Sequence, residues 1–334
     1  MRLFRYISII LCILFIGFYI YRSSPHYQII KGEIFGTYYN IKIRTDRKDK
    51  LLRQKIKQEL DMVDARMSVF NKDSEISKIN QAKAGRHIPL SPELKSVLKA
   101  ADEVYKKSAG AFDPTLGLLV NMWGFGPAAP EREPSDNEIR RALKTTGFNK
   151  LRFGHAYKSI SKKHAGTCIN LSAIAKGYGV DRIAALLDGE GYTDYVIEIG
   201  GEIKTRGERS PESGAWTVGI RKPSKNSSEN AFVLSLSNLA VATSGNYRNF
   251  YQKDGRIVAH TLSAKTGKPV ETDVLSASVF HDSCMYADAY ATAIMAMGVE
   301  KGLAFADKHK LKVILFDNNF TPRFSKEAAE IFAE

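Results

Sequence analysis

The chain has 334 residues, of which 44% are hydrophobic and 25% are charged, and its formal net charge is +13. This composition is that of a globular protein with one large domain or two modest ones. The positive charge suits nucleic acid, an anionic membrane surface or an acidic ligand, but the basic residues are spread along the chain rather than gathered in a tract. We therefore expect mostly solvated basic faces and exclude nucleic acid as a partner.

The N-terminus carries the pattern of a membrane anchor. Two arginines precede an apolar run from Ile7 to Tyr21, which is the order found in signal peptides and signal anchors. Bulky residues end the run where a cleavage site needs small ones, so an uncleaved anchor is favoured over a cleaved signal peptide. Because positive residues stay on the cytoplasmic side, we expect residues 1–26 to anchor the chain in the cell inner membrane. Residues 27–334 are then one domain on the periplasmic side.

Strand and helix patterns alternate in the first half of this domain. β-prone residues around Gly36 predict two strands, or one bulged strand, within residues 27–43. Apolar residues at helical spacing predict a helix within residues 49–67. Three more helices are predicted to begin after a serine N-cap, at Ser74, Ser91 and Ser135. The third has a capping-box pattern and is expected to end at Gly147.

The second half of the domain is dominated by strand patterns. Strands are predicted at residues 194–199, 202–206, 216–221, 232–236, 276–280 and 311–316. The second of these is expected to continue the first beyond Gly200 and Gly201. Helices are predicted at residues 285–297 and 299–309. The predicted fold class is therefore α+β, with mixed, mainly antiparallel sheets and packed helices.

A stretch rich in small residues lies at the centre of the domain, in residues 168–187. A β-prone run turns at Ser172 and Ala173 and then becomes a helix. The start of a helix leaves N–H groups unpaired, which suits an anion such as a phosphate, and Lys176 adds a positive charge one turn into the helix. Tight packing of the small residues is the alternative explanation, and this stretch alone does not decide between them.

Asp288 stands in an otherwise apolar helix of small residues, with Thr292 one turn later on the same face. A carboxylate in such a helix must be paired or bind a cation. A hydroxyl on the same face suits the oxygen shell of a hard cation such as Mg²⁺. A hydrogen bond between Asp288 and the start of a neighbouring helix is an equal alternative.

Three other places have both a functional and a structural interpretation. His260 lies in a β-prone run before a Gly-Pro turn and is either catalytic or a structural histidine. Asp113 either caps the helix that follows or contacts a ligand. The segment 244–248 either binds phosphate through its backbone N–H groups and Arg248 or forms a plain turn.

Seven motifs follow one another along the chain. They are Met67-Ser68 through Ser74-Glu75 to Asn80, Gly110-Ala111-Phe112-Asp113 with residues 119–126, Leu171 to Gly177, Ile199 to Glu202, Thr243 to Arg248, His260 to Pro269, and Ala287 to Thr292. In this order they resemble the ApbE family, the FAD:protein FMN transferases, over essentially all of residues 27–334. The resemblance implies an ApbE-like, T-fold-related flavin transferase domain behind the N-terminal anchor.

The resemblance also implies which residues form the site. Mg²⁺ would be held by the backbone carbonyl of Ala173 and the side chains of Asp288 and Thr292. His260 would be the base that takes the proton of the acceptor hydroxyl. FAD would be contacted from six segments of the chain, through Phe35, Phe70, Ala111, Phe112, Asp113, Asn170, Lys176 and Leu262.

The implied reaction moves FMN from FAD onto a serine or threonine of a partner protein, forming a phosphoester and releasing AMP. We expect that acceptor protein to be a flavin-carrying subunit of a membrane redox complex. Two alternatives keep the same site. One is a metal-dependent FAD pyrophosphatase, in which water attacks FAD to give FMN and AMP. The other is a membrane-tethered FAD-binding protein without turnover.

Three positions depart from the family pattern. Phe35 stands where Met is frequent, and both residues are apolar. Asn170 stands where Asp is usual, so a charge is lost there. Ser263 and Ala264 replace the usual Asp-Pro pair, and if that Asp orients the active histidine, its loss would weaken transfer.

Overall fold

The structure is a computed structural model that describes residues 25–127, 130, 132–224, 229–245, 250–253 and 256–331. Of the predicted anchor, residues 1–26, the first 24 residues, which include the apolar run, lie outside the described residues. Within the described ranges, no helix is both long enough and apolar enough to cross a membrane.

The helices and strands of the described chain alternate much as predicted. The helices are α1 Leu52–Met67, α2 Glu75–Gln81, α3 Pro92–Lys107, α4 Gly117–Met122, α5 Asp136–Leu143, α6 Ala175–Gly189, α7 Cys284–Met297, α8 Val299–Lys308 and α9 Lys326–Ile331. The strands are β1 Tyr27–Ile34, β2 Thr37–Arg44, β3 Ile88–Pro89, β4 Leu151–Phe153, β5 Ser159–Lys162, β6 Tyr195–Ile199, β7 Glu202–Arg206, β8 Trp216–Arg221, β9 Asn230–Leu236, β10 Ala240–Gly245, β11 Phe250–Lys253, β12 Arg256–Ala259, β13 Val274–His281, β14 Lys312–Asp317 and β15 Pro322–Phe324.

An eight-stranded sheet in the order β1-β2-β6-β7-β10-β13-β14-β15 forms the centre of the fold. Each pairing within it is antiparallel, which confirms the predicted mixed α+β class. The hairpins β8–β9 and β11–β12 and the three-stranded sheet β3-β5-β4 are separate.

One strand prediction was wrong. β7 does not continue β6 but folds back on it, with Ile199 paired to Glu202. The two residues between them, Gly200 and Gly201, have φ of 61° and 107°. Two successive positive φ values make a tight two-residue hairpin turn, and glycine adopts them without steric cost. The chain reversal brings Glu202 to the start of a strand beside the helices.

The serine caps formed as predicted. The hydroxyls of Ser74, Ser91 and Ser135 each accept a hydrogen bond from the backbone N–H three residues later. Ser135 and Glu138 complete the reciprocal capping box. The helix after Ser135 ends earlier than predicted, at Leu143, because turns at Lys144, Thr145 and Thr146 precede Gly147.

Apolar side chains cover both faces of the central sheet. On one face, α6 and α1 enclose Ile41 and Ile197 in a fully buried cluster, and α7 packs on β10 and β13. On the other face, Val218 and Ile220 of β8 cover Val241 and neighbouring residues. Successive residues of β10 point to opposite faces. The pair α6 and α7 is therefore held against the middle of the sheet.

The two helices α6 and α7 approach very closely at Gly177. A Cβ atom at this position would overlap the carbonyl oxygen of Cys284 and lie 2.9 Å from Cβ of Asp288. Only a residue without a side chain fits there. Gly179, two residues later, also lies in a close contact, since a Cβ atom there would be 3.0 Å from the ring of Phe35.

Each of these helices also caps the other. From α6, Asp181 accepts hydrogen bonds from the N–H groups of Cys284 and Met285 at 3.1 and 3.0 Å. From α7, Asp288 Oδ2 accepts a hydrogen bond from the N–H of Gly177 at 3.1 Å. Carboxylates at helix N-termini satisfy unpaired N–H groups and complement the helix dipole. These reciprocal hydrogen bonds fix the position of α7 along the axis of α6.

Gly177→Ala is expected to destabilise the protein by about 1–3 kcal/mol, the usual penalty for overpacking a close contact. The added methyl group must push the backbone of α7 away. Gly189→Ala at the other end of α6 is the matched control, because a Cβ atom there has nothing within 4 Å. Urea unfolding measures both variants. Equal stability of the two would contradict the proposed contact.

Candidate active site

A single cleft of about 1040 Å³ gathers the residues that the sequence singled out. It lies between the β1–β2 turn, the end of α1, the segment before α4, the start of α6 and the face of α7. The twelve predicted site residues all line it: Phe35, Phe70, Ala111, Phe112, Asp113, Asn170, Ala173, Lys176, His260, Leu262, Asp288 and Thr292. The structure therefore brings together positions that are more than 250 residues apart in the chain.

At one wall of the cleft, Phe35 and Gly36 form the two-residue turn between β1 and β2. Their φ angles are 54° and 71°, and Ile34 pairs with Thr37 across the turn. A left-handed conformation suits glycine but costs a residue with a side chain about 1–2 kcal/mol. The ring of Phe35 packs against both main core clusters and also lines the cleft.

Two other aromatic residues of the predicted set differ in exposure. Phe70, in the turn after α1, is 65% exposed and lines the cleft, so its ring is free to cover a flat ligand. Phe112 is 2% exposed and belongs to the core. Its ring is committed to packing, so any contact of Phe112 with a ligand is limited to the little surface that it presents to the cleft.

Asp113 is buried and serves the local fold. Its Oδ1 accepts hydrogen bonds from the N–H of Thr115 at 2.8 Å and from the hydroxyl of Thr115 at 2.6 Å. Burial raises the pKa of Asp113 to about 6, although these hydrogen bonds lower it in part. Asp113 therefore stabilises the turn before α4 but does not cap the helix, whose N-cap is Leu116 and has no side-chain cap. Asp113 also lines the cleft.

The turn before α6 is shaped by Asn170. Its Oδ1 accepts a hydrogen bond from the N–H of Ser172 at 2.9 Å, and its own N–H donates to the carbonyl of Pro114 at 2.7 Å. No side chain caps α6 at Ile174. Ala173, just before α6, and Ala175 and Lys176 in its first turn line the cleft.

A lysine and two carboxylates form the charged centre of the cleft. Lys176 Nζ lies 3.0 Å from Glu202 Oε1 and 3.7 Å from Asp288 Oδ1. Both carboxylates are almost completely buried. Burial alone would lower the pKa of Lys176, but the charges of Asp288 and Glu202 outweigh it and hold this pKa above its usual value. Burial raises the pKa of Glu202 to about 7, against the opposing charge of Lys176.

Sequence reasoning placed Glu202 in a motif but gave it no role. The available signal was an acidic residue directly after a Gly-Gly pair, at the start of a strand in an apolar sheet. The pairing of β6 with β7 turns this residue into the cleft. Because a continuous strand was predicted, the sequence did not indicate that Glu202 lines the cleft.

The predicted cation ligands lie along the contact of α6 and α7. Ala173, Asp288 and Thr292 line the same cleft, and the hydroxyls of Thr292 and Ser244 lie 3.3 Å apart. The structure shows the predicted alternative for Asp288, a hydrogen bond to the start of a neighbouring helix, because Oδ2 accepts from the N–H of Gly177. Oδ1 lies 3.7 Å from Lys176 Nζ, and cation binding by Asp288 stays a prediction. The described residues contain no cluster of three His, Cys, Asp or Glu side chains that suits a metal. The predicted set differs from such clusters because it combines a carboxylate, a hydroxyl and a carbonyl.

The donor chemistry at this place fits Mg²⁺. Hard cations of this kind take oxygen ligands, usually with one or two carboxylates. The second oxygen of Glu202, Oε2, is buried and has no hydrogen-bond partner. An unpaired buried carboxylate oxygen is unfavourable by itself, and a cation in the cleft is the kind of partner that would satisfy it.

The segment around His260 is anchored to the domain at several points. Leu262 is bridged to Pro269, and the N–H of Ser263 donates to the carbonyl of Lys268 at 2.9 Å. The indole of Trp123 donates to the carbonyl of Gly267 at 2.8 Å. His260 meets the ring of Phe125 edge-on, with the ring centres 6.3 Å apart.

Ser263 stabilises its own turn. Its hydroxyl accepts hydrogen bonds from the N–H groups of Lys265 and Thr266, both at 3.3 Å. Of the other candidate turn, residues 244–248, Ser244 and Gly245 line the cleft, and the remaining three lie outside the described residues.

Comparisons with known proteins agree with this arrangement. The sequence pattern of the ApbE family matches residues 35–315. The chain belongs to the ApbE family. Two similar proteins are each named FAD:protein FMN transferase. The one from Vibrio cholerae serotype O1 is 36% identical over 298 residues, which cover 88% of each chain. The one from Haemophilus influenzae is 33% identical over 309 residues, which cover 89% of each chain.

Solved ApbE structures share the fold. The flavin transferase ApbE from Vibrio cholerae superposes with a TM-score of 0.85 at 33% identity, covering 92% of this chain and 100% of that one. The apo form of the flavinyl transferase ApbE from Pseudomonas stutzeri gives a TM-score of 0.82 at 28% identity, covering 92% and 98%. The expected ApbE-like fold is confirmed. The chain is a transferase, as the names of its relatives indicate.

The pKa of Asp113 predicts a specific dependence of stability on pH. Between pH 3.8, its ordinary pKa, and about 6, the folded state keeps a proton that the unfolded state has released. The contribution of Asp113 to stability is therefore full below this range and falls as the pH rises through it. Asp113→Asn removes the effect, so between pH 4 and 7 the variant should gain up to about 3 kcal/mol relative to the wild type. Urea unfolding at several pH values measures this, and parallel pH curves would contradict it.

Proposed function

We propose that this protein is a Mg²⁺-dependent FAD:protein FMN transferase. It moves FMN from FAD to a serine or threonine hydroxyl of an acceptor protein and releases AMP. The observation that carries the proposal is the single cleft in which oxygen ligands, a lysine and a histidine meet beside exposed aromatic surface. The names of the relatives support the same activity.

FAD fits the cleft in size and chemistry. The exposed ring of Phe70 and the ring of Phe35 offer flat apolar surface to an aromatic ring system. Lys176 supplies a positive charge at the start of α6, and together with a bound Mg²⁺ it would offset the charge of a diphosphate. The buried turn from Ala111 to Asp113 bounds the same space.

Mg²⁺ would be held by the carbonyl of Ala173, the carboxylate of Asp288 and the hydroxyl of Thr292. When bound, it neutralises charge on the diphosphate and orients the phosphate under attack. Lys176 adds charge stabilisation from the protein side. The hydrogen bond from Gly177 to Asp288 orients the carboxylate.

His260 is the proposed general base. A hydroxyl is a weak nucleophile until its proton is removed, and imidazole titrates in the range that this step needs. His260 accepts the proton while the hydroxyl oxygen bonds to the phosphorus of the FMN half. The bond between that phosphorus and the bridging oxygen breaks, and the electron pair leaves with AMP.

The acceptor and the location of the enzyme are part of the proposal. Residues 1–26 have the pattern of an inner-membrane anchor, which would hold the domain on the periplasmic side. An enzyme in that position would meet flavin-carrying subunits of membrane redox complexes.

The transfer assay separates the proposal from its alternatives. The purified chain is incubated with Mg²⁺, FAD and a candidate acceptor subunit, and mass spectrometry follows the products. Acceptor that gains the mass of FMN, together with AMP, supports transfer. Free FMN and AMP alone would indicate a pyrophosphatase, and intact FAD would indicate a binding protein.

His260→Ala is expected to lower the rate of transfer by at least about 100-fold, since general-base catalysis contributes about 10²–10⁴-fold. FAD binding, followed by flavin fluorescence, should stay within about threefold because the substitution leaves the diphosphate contacts in place. The exposed His87→Ala is the control and should transfer at the wild-type rate. Undiminished transfer by His260→Ala would remove this residue from its role.

Asp288→Asn is expected to raise the Mg²⁺ concentration for half-maximal transfer by about 10-fold or more, because even groups outside the direct ligands change metal affinity by about 10–100-fold. Asp282→Asn, just before the same helix and exposed, should behave as the wild type. The measurement is a Mg²⁺ titration of initial rates. Full activity of Asp288→Asn after removal of metal by chelation would rule out this site.

A further inference from the structure

Glu202 is a buried acid that the proposed mechanism leaves without a task. It is 3% exposed and lines the cleft. Its Oε1 forms an ion pair with Lys176 at 3.0 Å, whereas its Oε2 is buried and has no hydrogen-bond partner. A carboxylate oxygen in this position is unfavourable unless something in the cleft pairs with it.

Glu202 and Asp288 converge on the same point from different elements. The ammonium of Lys176 lies 3.0 Å from one carboxylate and 3.7 Å from the other. Glu202 comes from the β6–β7 turn and Asp288 from α7, so both positions are fixed by the backbone of rigid elements. Two carboxylates therefore flank one ammonium group in the cleft that Ala173 and Thr292 also line.

The charge balance favours a second carboxylate ligand. With Asp288, Thr292 and the carbonyl of Ala173 alone, a divalent cation would meet one negative charge from the protein. Mg²⁺ sites commonly use one or two carboxylates. Glu202 lines the cleft, and its Oε2 is a buried acidic oxygen without a hydrogen-bond partner.

We infer that Glu202 is a further ligand of the divalent cation, and that the protein therefore binds the cation before FAD arrives. The inference rests on the metal site of the proposed function and extends it to a residue to which the family resemblance gave no role. In this arrangement Oε2 faces the cation and Oε1 keeps Lys176 in place.

Binding of Mn²⁺ to the full chain without FAD tests the inference. Mn²⁺ takes oxygen ligands like Mg²⁺, and the electron paramagnetic resonance signal of the free ion reports the bound fraction. The wild type is expected to bind one Mn²⁺ in the cleft, and Glu202→Gln to bind it at least about 10-fold more weakly. Glu198→Gln, which removes the same charge from the paired strand β6, is the control and should match the wild type.

Repeating the measurement in a variant without Lys176 separates direct binding of the cation by Glu202 from an effect through Lys176. If Glu202 acts only by holding the lysine, its substitution should change nothing once the lysine is replaced. The loss caused by Glu202→Gln is therefore measured again in the Lys176→Met variant, as a double-mutant cycle. A loss that persists supports direct binding, and a loss that disappears overturns it.

Further outcomes have a defined meaning. FAD binding in the presence of a chelator shows whether Glu202→Gln is folded. If this variant is not folded, Glu202→Asp, which keeps the carboxylate, is used in its place. Glu202→Asp should bind Mn²⁺ more weakly than the wild type but more tightly than Asp288→Asn. Failure of the wild type to bind Mn²⁺ without FAD, or unchanged affinity in Glu202→Gln, overturns the inference. None of these readouts needs an acceptor protein, so failure of FMN transfer is a separate result.

Discussion

The site depends on the mutual capping of α6 and α7. Asp181 of α6 satisfies the first N–H groups of α7, and Asp288 of α7 accepts the N–H of Gly177 in the first turn of α6. Each helix end is thereby neutralised by a carboxylate of the other helix. Gly177 allows the two backbones to come close enough for this exchange. The position of Asp288 at the first turn of α6 follows from it.

The same contact concentrates charge in a buried place. Ion pairs in an interior recover little more than the cost of their desolvation and often stabilise a fold less than apolar residues of similar size. The ion pairs of Lys176 with Glu202 and Asp288 are therefore expected to add little to the stability of the fold. This group of three charged residues lies at the wall of the cleft, and one of its carboxylate oxygens has no hydrogen-bond partner. Both features are those of a binding site.

Local sequence signals predicted local structure well. The serine caps, the helix of Asp288 and the antiparallel character of the sheet are all readable from spacing and residue type. The errors arose where a distant partner decides the outcome. The two glycines before Glu202 permit either a bulge or a reversal, and pairing of β7 with β10 selects the reversal.

The candidate site was predictable only in part. The family resemblance supplied the twelve residues, and the structure places them around one cleft. One motif contained Glu202 but gave it no role, because its orientation depends on the β6–β7 turn. The motifs also did not distinguish the exposed ring of Phe70 from the buried ring of Phe112, since exposure is a property of the packed domain.

The left-handed Phe35 implies a conflict between robustness and function. Asparagine or glycine would relax this hairpin turn, so selection for heat tolerance alone would replace the phenylalanine. The replacement would discard the ring that borders the cleft. Variants evolved only to survive high temperature should therefore drift towards a sturdier protein with a weaker hold on its dinucleotide.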